Sequence, residues 1–363
     1  MKVKTIGTVQ TVMQNPCGND NYFGWPSVAK LQNGKIAVVA SGYRYQHVCP
    51  FGKAVIAYSE DEGETYTAPA PCICTPLDDR DAGILPFGDK GVLVTSFNNT
   101  VAFQRAQNPD NAFFTAYLDT VTEQQEQQYL GSLFRFSRDC GVTFGELHKS
   151  PVTSPHGPME LSDGTILWVG RTFTCNDTFM GDADEIRAHT ICPEDGTMTQ
   201  VGRVPAIAAD GRKMMSCEPH TVELTSGMLL CHIRVHGTQS GQEVASTYQT
   251  ESHDKGRTWT PPHRILPQVD GYPAHLLLHS SGVLLSTYGY RSVPYGIRVM
   301  FSTDEGKSWE TGHELYRNTY SADLGYPCSV ELSDGSLLTV FYAQNAERKT
   351  AEILQQKWRL ECR

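Results

Sequence analysis

The chain has 363 residues, 39% of them hydrophobic, and a formal net charge of −10. This composition supports a large core, offers no apolar run near the length of a membrane span, and contains no basic tract of the kind that grips nucleic acid. Eleven cysteines without a single C-x-x-C pair read as reduced thiols of a cytoplasmic protein rather than a disulfide framework or a zinc site. Met1–Thr11 lacks the apolar stretch of a secretory signal. Nothing in the chain asks for a cofactor or a metal.

Taken in order, the first element is a strand near Val3–Val12. Blade-like units follow, each opening on a leucine, two or three polar residues and a glycine before an apolar strand. The unit reads Leu31-Gln32-Asn33-Gly34 before Lys35–Val39, and returns at Leu161–Gly164, Leu224–Gly227 and Leu332–Gly335, with weaker copies ending at Gly91 and Gly282. Asp-Gly or Asn-Gly between apolar runs is a hairpin signal, because the turn needs positive φ. A second motif, S-x-D-x-G-x-[ST]-aromatic, runs Ser59–Tyr66 and recurs at Ser137–Phe144, Ser252–Trp259 and Ser302–Trp309, with a damaged copy near Glu194-Asp195-Gly196. Its Asp and Ser suit turn amides, so Asp61, Asp139, Asp254 and Asp304 are structural. Between the second and third strands of blade 2, Asn98–Leu130 is the longest insertion. Asn108-Pro109-Asp110 looks like a helix start there, with Phe113, Phe114, Tyr117 and Val121 on one face. A last strand near Ile353–Leu360 pairs with the first. Six hairpins predict one all-β domain over residues 1–363, a six-bladed propeller of four-stranded antiparallel blades with a helical insertion in blade 2.

In such a meander the hairpins and the S-x-D-x-G turns share one face. The opposite rim collects the starts of the innermost strands, which are Trp25, Asp81, His156, Glu218, Tyr272 and Tyr326. It also collects the ends of the second strands, with Arg44, Arg171, Arg234 and Arg291, and Gln344 in the last blade. Four arginines at equivalent places in an acidic chain point to a carboxylate-bearing ligand. His47, His156 and His275 also count toward this rim, as acid–base or hydrogen-bonding groups. Trp25 and Tyr272 are stacking surfaces for a sugar ring, or packing between blades.

These residues resemble the sialidase (neuraminidase) superfamily with its Asp-box, or BNR, repeats, over nearly the whole chain. Glu218-Pro219-His220-Thr221-Val222-Glu223-Leu224, continuing to Gly227 and Arg234, is similar to the blade that carries the family's glutamate. Gly325-Tyr326-Pro327 through Leu332 matches the blade that carries its tyrosine. The resemblance implies a retaining mechanism in which Tyr326 attacks the anomeric carbon, Glu218 takes the phenolic proton, arginines hold the substrate carboxylate and an aspartic acid protonates the leaving group. The family's third arginine corresponds to Arg291 or Arg298. Two departures stand out. Where the family has F-R-I-P, this chain has Phe23-Gly24-Trp25-Pro26, leaving Arg44 or Arg80 as substitutes. The blade 1 loop Gly42–Lys53, where the family has its acid, carries Arg44 and His47 but no aspartate, so Asp79 and Asp81 are the candidates, and Asp81 stands at a strand start. The expected partner is a small anionic sugar or glycan terminus. Three classes stay open: an exo-glycosidase of the sialidase type, another carbohydrate-active enzyme such as a lyase or a glycosidase for a different sugar, and a non-catalytic glycan-binding propeller.

Overall fold

The computed structural model describes residues 1–173, 185–266, 272–317, 319–344, 346–347 and 350–361. Six antiparallel sheets of the meander type stand around one axis. The innermost strands are Tyr22–Lys30, Arg80–Phe87, an interrupted pair Val152–Thr153 and Met159–Glu160, Met215–Glu223, Ala274–Leu278 and Leu324–Glu331. The sixth sheet is completed by the N-terminal strand Lys2–Met13, which pairs antiparallel with Ala351–Glu361. The ring is therefore closed by hydrogen bonds between the two ends of the chain, as the sequence predicted.

The hairpins between the first and second strands repeat one bonding pattern. The Leu31 N–H donates to the Lys35 carbonyl and Gly34 N–H to the Leu31 carbonyl, and the same pair recurs at Leu161, Leu224, His279 and Leu332. Gly34, Gly164, Gly227, Gly282 and Gly335 all have φ near 80°, where a Cβ is disfavoured. Blade 2 differs from expectation. Its positive-φ turn glycine is Gly88, while Gly91 opens the second strand opposite Phe87, because the turn is shortened to Gly88-Asp89-Lys90.

Each of the four S-x-D-x-G turns is built alike. In the first, Gly63 N–H donates to Ser59 Oγ (2.7 Å), and Thr65 donates its N–H (2.9 Å) and its hydroxyl (2.6 Å) to the Asp61 carboxylate. These bonds hold the Asp61 carboxyl down at about 2, well inside the ionised range at neutral pH. The aromatic that ends each turn reaches the preceding blade. Tyr66 bonds Gln355 of blade 6, Trp309 bonds Gln249 of blade 4, and Trp259 packs with Leu161 and Leu167 of blade 3. The damaged copy at Glu194–Gly196 is a plain tight turn, with Gly196 N–H bonded to the Cys192 carbonyl.

The core is a ring of wedges rather than a single ball. One wedge joins blade 6 to blade 1 through Trp25, Val28, Val38, Val330 and Leu338. Others join blades 1 and 2, 2 and 3, 3 and 4, and 5 and 6. The insertion in blade 2 forms three short helices, Val101–Gln107, Ala112–Leu118 and Glu123–Tyr129. Asn111 caps the second helix and Asn108 ends the first, so Val121 lies beyond the turn that carries Phe113, Phe114 and Tyr117. Among the described residues the cysteines are free thiols, and no helix is long and apolar enough to cross a membrane.

Trp358 in the closing strand is fully buried, and its indole N–H donates to Thr339 Oγ1 at 2.8 Å. Trp358→Ala removes that wedge and its bond, and is expected to lower the unfolding free energy by about 3–5 kcal/mol, read as an earlier midpoint in urea unfolding.

Candidate active site on the propeller axis

Four innermost strands share one irregularity. A bulge interrupts the pairing between Gly24 and Ser27, Arg80 and Gly83, Cys217 and His220, and Gly325 and Cys328. Within each bulge a non-glycine residue takes left-handed backbone: Trp25 (φ 53°), Asp81 (48°), Glu218 (51°) and Tyr326 (47°). Such backbone costs about 1–3 kcal/mol per residue, and a bulge re-aims the side chain it carries. Four repeats of the same strained turn set these side chains at one end of the axis.

The centre is a tyrosine held by a carboxylate. Tyr326 Oη donates to Glu218 Oε1 at 2.5 Å, and Arg234 Nη1 donates to Glu218 Oε2 at 2.7 Å. Burial pushes the Glu218 carboxyl upward, but Arg234, the bond from Tyr326 and Arg291 outweigh it and hold the group below its ordinary value. Glu218 is therefore ionised and ready to accept. The Tyr326 hydroxyl is raised well above its ordinary value, first by burial and then by Glu218 and Asp81, so it ionises only by handing its proton to a base. Arg234 is fixed twice, since its Nε–H donates to His236 Nε2 at 2.5 Å. His236 is held down at about 4 by burial and by Arg234 and stays a neutral acceptor. Arg291 donates from Nε and Nη2 to the Leu324 carbonyl at 3.1 and 2.8 Å. It stands over Tyr272 at 4.6 Å and over Tyr326 at 5.9 Å, while Arg234 stands over Tyr272 at 5.2 Å. Two guanidiniums, Tyr272, Tyr326 and Glu218 thus share the sector of blades 4, 5 and 6.

Across the axis, Trp25 lies under Arg80 (4.3 Å) and Arg44 (5.0 Å), with the His47 ring edge-on at 4.9 Å. His47 Nδ1 bonds Asp323 at 3.0 Å. Asp323 also accepts from Tyr22 Oη (2.9 Å), Tyr342 Oη (2.9 Å) and Gln344 Nε2 (3.1 Å). The two arginines differ in role. Arg44 is wholly enclosed, bonded to both Asp78 oxygens, to Ser41 Oγ and to the His47 carbonyl. It braces the blade 1 loop and has no surface to offer a ligand. Arg80 reaches the same carbonyl at 3.2 Å and Asp78 at 3.6 Å.

Asp81, Arg171, Cys217 and Glu218 line one small pocket with Phe97, Pro155 and Phe173. Burial is the main cause that raises the Asp81 carboxyl to about 7, partly opposed by Arg80, so it carries a proton close to neutral pH. Asp79 is raised to about 7 in the same way, but it is sealed in a turn with Thr75 and Asn98. Of the two aspartates, only Asp81 lines this pocket.

Three expected residues lie elsewhere: His156, His275 and Arg298. His156 packs against His220 and His275 at ring-centroid distances of 5.5 and 5.1 Å, and bonds Ser27 Oγ at 3.0 Å. All three histidines line the axial channel below the bulge layer, together with Val28, Leu276 and Cys328; blade 3 lacks the bulge, so its histidine is not lifted to the rim. Arg298 is on the third strand of blade 5, stacked over Tyr290 at 3.3 Å, outside the group that Arg291 joins. Sequence reasoning missed Asp323 and His236. His236 was within reach, since it follows Arg234 by two on one strand and shares its face. Asp323 draws its partners from blades 1 and 6 and had no local signal.

Arg44→Ala removes both guanidinium bonds from the fully buried Asp78, leaving it Gln104 and the more distant Arg80. The expected outcome is a loss of about 3–5 kcal/mol in unfolding free energy, measured by chemical denaturation, with the defect in stability rather than in ligand contact.

A profile of the BNR repeat-like domain matches residues 87–340. No curated protein sequence matches the chain. Among solved structures, a protein of unknown function from Dyadobacter fermentans superposes with a TM-score of 0.77 at 20% identity, over 99% of each chain. A leech intramolecular trans-sialidase, complexed with 2,7-anhydro-Neu5Ac, gives 0.67 at 13% identity over 97% of this chain and 70% of its own. An α-L-arabinanase from Penicillium chrysogenum, complexed with arabinobiose, gives 0.63 at 12% identity over 98% of each. The profile spans well over half of the chain, and on that ground this protein belongs to the BNR repeat-like family, folded as a six-bladed propeller of the sialidase type.

Proposed function

We propose that the protein is an exo-glycosidase that hydrolyses a terminal α-linked sialic acid, or a related anionic sugar, with retention of configuration. The observation that carries this reading is the 2.5 Å bond from Tyr326 to an ionised Glu218, set beside two guanidiniums. A sugar with a carboxylate on its anomeric carbon repels an anionic nucleophile, whereas a neutral phenol approaches it. As the Tyr326 oxygen bonds the anomeric carbon, Glu218 takes the phenolic proton. The glycosidic bond breaks and the leaving oxygen takes a proton from Asp81. Water then attacks the anomeric carbon from the face that the leaving group vacated, giving its proton to Asp81, as the bond to the Tyr326 oxygen breaks and Glu218 returns the proton to that oxygen. Arg234 and Arg291 hold the carboxylate and Tyr272 flanks the ring, whereas Trp25 is taken up by packing between blades 6 and 1. The leech trans-sialidase and the fungal arabinanase support a sugar ligand on a propeller of this shape.

A second reading, a glycosidase or lyase for another acidic sugar, draws on one specific feature. Gly24 stands where the resembling family has its first arginine, and Arg44 is sealed by Asp78. The clamp then consists of Arg234 and Arg291, with Arg171 on the pocket wall, which also suits a uronic acid. A purely binding propeller has no use for a phenol held by an ionised carboxylate.

The test is release of 4-methylumbelliferone from its α-glycoside of N-acetylneuraminic acid. Wild type is expected to turn over, and Tyr326→Phe to lose roughly a thousandfold or more in kcat while unfolding at the same denaturant concentration. A fully active variant removes Tyr326 from the mechanism. No release by wild type shifts the reading to uronic acid substrates.

The pH dependence follows from Asp81. Its proton is held below about pH 7 and lost above it, so kcat/KM should fall as pH rises through about 7. In Asp81→Asn, measured with a substrate bearing a good leaving group, that alkaline limb should disappear.

A further inference from the structure

The rim of blades 1 and 2 carries an aromatic surface that the proposed chemistry does not use. Tyr45 and Phe51 come from the blade 1 loop, and Phe113, Phe114 and Tyr117 from the second helix of the insertion. Phe51 stacks on Phe113 at 5.1 Å with 21° between planes and meets Tyr117 at 4.3 Å. Tyr45 sits at 5.5 Å from Phe51 and 5.3 Å from Phe113. Phe114, at the back, is buried, but Phe113 is 54% exposed and Tyr45 40% exposed. Exposed aromatic rings in mutual contact are costly to leave in water and mark a binding surface.

Position and chemistry narrow what covers it. Tyr45 is followed by Gln46, whose amide bonds Asn108 of the insertion at 2.5 Å, and then by His47, whose ring meets Trp25 at the site. The surface is thus continuous with the candidate site along three successive exposed residues. The guanidiniums of Arg234 and Arg291 stand in blades 4 and 5, and Asp81, the proposed proton donor to the leaving group, stands in blade 2. A substrate whose carboxylate points to blades 4 and 5 sends its leaving group over blade 2. There it meets flat rings edged by amides, which suit the apolar face and hydroxyl edge of a neutral sugar.

We infer that Tyr45, Phe51 and Phe113 form a stacking subsite for a neutral sugar ring on the leaving-group side, so that the protein acts on oligosaccharide chains in preference to simple glycosides. This inference rests on the glycosidase reading of the site. In the Tyr326→Phe background, calorimetry compares the methyl α-glycoside of N-acetylneuraminic acid with 3′-sialyllactose. The trisaccharide should bind about tenfold more tightly. Tyr45→Ala and Phe113→Ala should each erase most of that gain while leaving the methyl glycoside's affinity unchanged. Equal affinity for the two ligands, or an equal loss for both in the variants, overturns the subsite while leaving the site reading intact. Absence of binding by either ligand fails the site reading itself, and the subsite with it. Sedimentation gives an independent check: a dimer that Phe113→Ala dissociates would assign the surface to self-association and overturn the inference.

Discussion

Closure of the ring is the constraint on which everything else depends. Lys2–Met13 supplies the outer strand of the sheet whose other three strands end the chain. Only when that pairing forms do six innermost strands face one axis, and only then do residues as far apart as Trp25 and Tyr326 share a hydrophobic wedge. Each innermost strand is the edge of its own sheet, and the ring protects these short edges by setting them around the axis. The inter-blade stitches reinforce it. Glu223 binds Ser162, and Glu331 binds Ser280, each carboxylate accepting an N–H from within the neighbouring blade's hairpin turn.

Within that frame, the left-handed bulge re-aims one side chain of the innermost strand toward the end of the axis. The same strained backbone occurs at Trp25, Asp81, Glu218 and Tyr326, and the burial of the surrounding wedges sustains its cost. The arrangement also separates two layers. Above the bulge lie the charged and aromatic groups of the rim. Below it lie His156, His220 and His275, all held low mainly by burial and so neutral. The carboxyl groups are likewise pushed in opposite directions by their surroundings, Asp81 upward and Glu218 downward, so that Asp81 keeps its proton to a higher pH than Glu218 does.

The arginines show why residue type alone is an insufficient guide to a site. Arg44, Arg234 and Arg298 are all on strands of the same ring. Arg44 is spent on Asp78, Arg298 on Tyr290, and Arg234 alone among the three meets Glu218. What separates them is the partner each finds across a blade boundary, together with its depth.

Much of the fold was legible because its signals are local. A turn needs glycine at positive φ, a strand needs apolar residues in a run, and the S-x-D-x-G turn satisfies its own amides within eight residues. These requirements are met by neighbours in the chain, so blade number, ring closure and the hairpin face could be read directly, along with Glu218 and Tyr326 at their strand starts. The tertiary structure alone decided what depends on contacts between distant segments. It placed His156 below the rim, set Arg291 rather than Arg298 beside Tyr272, and assembled Asp323 with Tyr22, His47 and Tyr342. A side chain's depth and partners are set by the blade facing it, and a linear pattern does not carry that information.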